Sequence, residues 1–96
     1  MKQIAEYHIV DHGLQKPDFT LPKESQFGPE WTYVLGLGDT PVLACYFALR
    51  GLQHAGWNTS IVEVPDLKGY SAKKQFAQWK DKDDNPVWHV SVHVRE

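Results

Sequence analysis

A helix start signal, the sequence GDTP at residues 38–41, most constrains how this chain can fold. Asp39 or Thr40 can supply the side-chain oxygen that caps a helix, and proline fits the first helical turn. Gly56 is a typical helix stop, so we predict one long helix over residues 41–54. The segments before and after the helix are short and alternate in polarity, so we expect it to pack against strands.

Two glycines, Gly36 and Gly38, precede this helix and raise the question of a phosphate-binding loop. A dinucleotide fingerprint requires a third glycine where this chain has Pro41, and proline removes one of the N–H donors that phosphate needs. Asp39 adds a negative charge at the same place. We therefore predict no nucleotide and no other cofactor, and we interpret the glycines as part of a strand-to-helix turn.

Alternating apolar and polar residues predict four strands, at residues 3–12, 31–37, 59–64 and 86–94. The last strand is the clearest, because its apolar residues fall on one face while His89, Ser91 and His93 fall on the other. Residues 71–79 predict a second short helix, with a hairpin strand as the alternative.

Length and composition indicate a single domain at residues 1–96. We predict an α+β fold, in which a mainly antiparallel four-stranded sheet is packed by the long helix and accompanied by the short one. The net charge of −2 excludes a general attraction to nucleic acid or to an anionic membrane. The single cysteine, Cys45, excludes an internal disulfide and favours a reducing, cytoplasmic location. No apolar run approaches the ~20 residues of a membrane span.

Five histidines raise the question of a metal site. His89 and His93 share a strand face but are four residues apart, about 13 Å at strand rise, which is too far for one ion. His8 and His12 have the same spacing, so a site would need histidines of the first and last strands side by side. We expect exposed strand-face histidines instead, with no metal site. We predict no catalytic site either, because Cys45 is expected in the core, where a thiol is inert.

The helix itself carries the main functional prediction. Its sheet-facing stripe is predicted to comprise Val42, Cys45, Leu49 and Leu52. Its first half is apolar nearly all round and must therefore be covered on a second side, by the chain or by a partner. We predict an interaction surface for a protein partner, or for a second copy of the chain in a homodimer. This surface comprises Leu43, Tyr46, Phe47 and Arg50.

A different stretch suggests an alternative function in nucleic-acid binding. Lysines alternate with aromatic residues at residues 68–82, a mixture that can bind single-stranded nucleic acid. The side chains concerned are Lys73, Lys74, Phe76, Trp79 and Lys80. Four aspartates in or beside the same stretch weaken its positive field, so we favour a solvated amphipathic helix there.

The sequence GDT at residues 38–40, followed by Ala44, Ala48 and Leu49, resembles the helix start of HicB-like antitoxin modules. Those modules place the same triplet before a helix with alanines at every fourth position, after a short antiparallel sheet. The resemblance implies a β-β-α-β module without catalytic activity that binds another protein, of a kind found in toxin–antitoxin pairs and on phages or other mobile elements. We therefore predict a small non-enzymatic protein-binding module, with nucleic-acid binding as the alternative.

Overall fold

A computed structural model describes residues 1–16, 24–66 and 85–96 of the chain. The elements in these ranges are strand β1 (Lys2–Gln3), strand β2 (Glu6–Gln15), strand β3 (Thr32–Gly38), helix α1 (Pro41–His54), strand β4 (Trp57–Asn58) and strand β5 (Val87–Arg95). The predicted long helix and the predicted second and last strands are confirmed to within one residue at each end. The first strand, predicted at residues 3–12, is confirmed as β2 with both ends three residues later, and Lys2–Gln3 belongs to the separate strand β1. The predicted short helix at residues 71–79 lies outside the described residues.

The main sheet has three strands in the order β2-β5-β3, and the central strand β5 is antiparallel to both neighbours. Strands β1 and β4 form a separate parallel pair of two residues each. The prediction of an α+β fold with a mainly antiparallel sheet is confirmed. The prediction of a four-stranded sheet is wrong for the described part of the chain.

The missing fourth strand was predicted at residues 59–64, where the chain forms a turn instead. The side-chain oxygen of Asn58 accepts the N–H of Ser60 at 3.2 Å, and the N–H of Val62 donates to the carbonyl of Thr59 at 3.0 Å. Asparagine and serine favour such local bonds, which compete with strand pairing. The apolar alternation of this segment serves to pack two of its valines against the core rather than to pair with the sheet.

Strand β5 divides the sheet into two chemically different faces, as its alternation predicts. Its core-facing valines are Val90, Val92 and Val94, all fully buried beneath α1. On the opposite face lie His89, Ser91 and His93. The sheet therefore has one apolar face under the helix and one face rich in histidine and serine.

Helix α1 begins with a side-chain cap and lies unusually close to β3. The hydroxyl of Thr40 accepts the N–H of Leu43 at 3.1 Å. Both glycines belong to β3, so the interpretation of the pair as part of the turn is corrected for Gly38, while Gly36 lies inside the strand predicted at residues 31–37. A Cβ atom at Gly36 would lie 1.8 Å from the carbonyl oxygen of Ala44, so glycine is required for the backbones to approach this closely.

The buried side of α1 combines small side chains with larger aliphatic ones. The buried residues of the helix are Pro41, Val42, Leu43, Ala44, Cys45, Ala48, Leu49 and Leu52. They include the whole predicted stripe, and burial raises the pKa of the Cys45 thiol to about 11. Neither α1 nor any other helical stretch in the described ranges is long and apolar enough to cross a membrane.

Candidate functional site

The face of the sheet opposite α1, which we call the histidine face, carries His8, His12, His89, Ser91 and His93 on strands β2 and β5. Backbone pairing places His8 directly opposite His93. Histidines of the predicted first and last strands therefore lie side by side, as a shared metal site would require. In the described part of the chain, however, no group of three or more His, Cys, Asp or Glu side chains is arranged to hold a metal ion.

Residues 24–31 form a turn that folds over one end of the histidine face. The ring of Phe27 stacks on His8, with 4.3 Å between ring centroids, and meets His93 edge-on at 4.9 Å. The ring of Tyr33 stacks on His93 from β3, also at 4.9 Å. These contacts leave His93 only 3% exposed, so the expectation of exposed strand-face histidines is wrong for this residue.

A chain of hydrogen bonds runs across the histidine face. Ser25 Oγ lies 2.6 Å from His93 Nδ1, and His93 Nε2 lies 2.8 Å from Ser91 Oγ. Ser91 Oγ in turn lies 2.7 Å from His12 Nε2. A bulge in β2 between Asp11 and Gly13 interrupts the regular register at His12 and so lets its side chain reach Ser91.

Two opposite arrangements of protons satisfy these bonds with neutral histidines. The N–H of Phe27 donates to Ser25 Oγ at 3.1 Å, and the serine keeps both its proton and a second lone pair for His93 Nδ1. When Ser25 donates to His93, His93 Nε2–H donates to Ser91 and Ser91 donates to His12, and in the other tautomer each bond is reversed. Each member of the chain is satisfied when His93 is neutral.

Burial keeps His93 in that neutral form. Burial, with the neighbouring charges of His12 and His8, lowers the pKa of His93 to about 4. Burial, with the charge of His89, also lowers the pKa of His12, and Asp11 opposes that shift. A general base works best when its pKa is near the working pH, so His93 is a poor base at neutral pH. The hydrogen-bond chain therefore fits a structural role better than a catalytic one.

His89 is the remaining buried histidine of this face and is 4% exposed, so the expectation of exposed strand-face histidines is wrong for this residue as well. Its Nδ1 donates to the carbonyl of Val87 at 2.9 Å, because a carbonyl can only accept. Its Nε2 is the one buried side-chain nitrogen or oxygen atom of the described residues without a hydrogen-bond partner.

The outer side of α1 carries the predicted interaction surface, but only two of its four residues are exposed. Tyr46 is 57% exposed and Arg50 is also exposed. Leu43 is buried within the chain and Phe47 is half-buried. The side chains available to a partner are therefore those of Tyr46 and Arg50.

Tyr46 and Arg50 line a groove of about 740 Å³, which we call the α1 groove. It lies between α1, β4 and the turn after β4, and the described residues that line it are Met1, Tyr46, Leu49, Arg50, Gln53, Trp57, Asn58, Thr59, Ser60, Val62 and Val64. Leu49 and Trp57 are buried, and Val62 and Val64 are half-buried, so the inner wall is apolar.

The far wall of the α1 groove is fixed to the rest of the domain by hydrogen bonds. Gln53 Nε2 donates to Thr59 Oγ1 at 2.8 Å, which ties the turn to the helix. The hydroxyl of Tyr7 accepts the N–H of Glu63 at 3.4 Å, which ties the same segment to β2. The groove is therefore bounded on both sides by residues with definite partners, which favours a largely preformed site.

No protein-family model, curated protein or solved structure matches this chain. The resemblance to HicB-like modules therefore stays a prediction. The residues of the nucleic-acid alternative, Lys73, Lys74, Phe76, Trp79 and Lys80, lie outside the described residues.

Proposed function

We propose that this protein is a non-enzymatic protein-binding module and that it binds its partner at the α1 groove. The observation that carries the proposal is Tyr46, a large aromatic side chain that is 57% exposed at the edge of a concave apolar site. Tyrosine is enriched among the residues that dominate binding energy at interfaces, because it combines a rigid apolar ring with a polar tip. A partner side chain seated beside it would also cover Leu49 and Trp57.

Two further features support a binding role over a catalytic one. The hydrogen-bond chain of Ser25, His93, Ser91 and His12 is complete within the molecule, and His93 is too weakly basic for proton transfer at neutral pH. The thiol of Cys45 is buried and protonated. The single cysteine of the chain, which allows no internal disulfide, is consistent with a reducing, cytoplasmic setting.

A peptide selection with matched variants tests this proposal. A random-peptide phage library would be selected on the wild-type protein and the enriched peptides measured against Tyr46→Glu and Leu14→Glu. Leu14 is the control because it is exposed to the same degree as Tyr46, at 56%, but lies on β2 outside the α1 groove. We expect the peptides to bind wild type and Leu14→Glu alike and to bind Tyr46→Glu at least about tenfold more weakly, as for an interface hot spot.

Failure to enrich any peptide, or equal binding to all three proteins, would contradict the proposal. Sedimentation of the same variants distinguishes a homodimer from a hetero-partner. A wild-type dimer that Tyr46→Glu dissociates and Leu14→Glu does not would assign the α1 groove to a second copy of the chain. A salt-sensitive complex with single-stranded nucleic acid that is lost when Lys73 and Lys74 become alanine would favour the alternative function.

A further inference from the structure

The charged side chain among the described residues that line the α1 groove is Arg50. The ammonium of Lys2 lies 5.3 Å from the ring centroid of Trp57, beside the same groove. Glu63 stands between the lining residues Val62 and Val64 but is exposed and does not itself line the groove. The lining is therefore cationic, although the chain as a whole has a net charge of −2.

The guanidinium of Arg50 is available for a partner. Arg50 is exposed and forms no ion pair within the described part of the chain. Arg95 provides the comparison, because its guanidinium is bonded to Glu6 and lies 3.7 Å from a carboxylate oxygen of Glu30. An unpaired cation at the edge of an apolar groove favours a ligand that brings its own carboxylate, since like charges would be repelled.

We infer that the α1 groove recognises a peptide segment in which a large apolar side chain is adjacent to Asp or Glu. The apolar side chain packs against Tyr46, Leu49 and Trp57, and the carboxylate accepts hydrogen bonds from Arg50. This inference rests on the proposed function and adds the chemistry of the partner. The apolar contact supplies most of the affinity, and the ion pair at the edge supplies orientation and selectivity.

Two synthetic peptides, acetylated at one end and amidated at the other, test the inference by fluorescence anisotropy. Both contain a Trp-Leu pair, flanked by aspartates in one peptide and by lysines in the other. We expect wild type to bind the aspartate peptide about three- to tenfold more tightly, with the difference reduced in high salt. Arg50→Glu should reverse the preference. His54→Glu is the control for the position of the new acid, because it adds one on the same helix at an exposed position outside the groove, and it should keep the wild-type order.

The possible results separate a failure of the carboxylate inference from a failure of the proposed protein-binding function. Equal binding of both peptides, lost in Tyr46→Glu, would overturn the carboxylate inference and leave the proposed function standing. The same reversal in Arg50→Glu and His54→Glu would also overturn it, because the effect would then be one of net charge. Absence of binding by either peptide would contradict the inference, and the phage selection would then decide whether the groove binds peptides at all.

Discussion

Replacement of Gly36 by alanine is expected to cost at least about 3 kcal/mol of the free energy of unfolding, a large fraction of the total of about 5–15 kcal/mol that is typical of a domain. The added Cβ would lie 1.8 Å from the carbonyl oxygen of Ala44 and 2.6 Å from the backbone nitrogen of Ala48. Both atoms belong to the backbone of α1, so no side-chain rotation can relieve the contact. The helix would have to move away from β3 and uncover the valines of β5. Urea unfolding followed by circular dichroism measures the loss.

Gly51→Ala is the matched control within the same helix–sheet contact. Its added Cβ would meet the Cγ1 atom of Val34 at 2.7 Å, a side-chain atom that can shift, and alanine gains about 1 kcal/mol over glycine inside a helix. We expect this variant to stay within about 1 kcal/mol of the wild type. Equal stability of Gly36→Ala and Gly51→Ala would show that α1 does not lie on the backbone of β3 as described.

Acidification from pH 7 toward pH 4 is expected to remove about 3 kcal/mol of stability through His93 alone. The pKa of His93 is lowered to about 4 in the folded protein from 6.5, so the unfolded chain binds a proton that the folded protein does not. The contribution of His93 to the free energy of unfolding is therefore fully present above pH 6.5. It is lost as the pH falls from 6.5 to about 4, and this group causes no further loss at lower pH. The lowered pKa of His12 acts in the same direction.

Urea unfolding at a series of pH values measures this loss, and the range from about pH 6.5 to pH 5 isolates the histidines from most carboxylates. His93→Gln removes the titrating group and should make the slope in that range smaller. His54→Gln is the control for the removal of an exposed histidine that lies on α1, outside the histidine face. A titration of His93 near pH 6.5 by NMR would contradict the description of a buried, neutral imidazole.

The sequence was sufficient to predict the elements whose signals are local. The cap, the proline and the terminal glycine define α1 without knowledge of the rest of the chain. The strict alternation at residues 87–95 likewise defines β5 and its two faces. Residues 59–64 also alternate, but alternation indicates only that a segment can be half-buried. It does not show whether the segment pairs with a neighbouring strand or forms a hydrogen-bonded turn at Asn58 and Thr59.

The parts of the candidate sites that sequence reasoning missed depend on contacts between distant residues. His93 is buried because Phe27 and Tyr33 pack on it, and neither neighbour can be deduced from strand periodicity. The role of Gly36 was missed because it depends on the close approach of the α1 backbone at Ala44 and Ala48, which strand periodicity does not show. Tyr46 and Arg50 were predicted from the helix pattern, but the opposite wall of their groove comes from Trp57 and the segment after it.

NMR mapping of a peptide from the phage selection would test the central claim, that the α1 groove is the binding site, most directly. The account predicts shift changes in ¹H–¹⁵N spectra at Tyr46, Leu49, Arg50 and Trp57 and across residues 58–64, with the backbone signals of His8 and Tyr33 on the histidine face unchanged. The same changes should be absent in Tyr46→Glu and present in Leu14→Glu. Shift changes centred on the histidine face, with the α1 groove unaffected, would contradict the account.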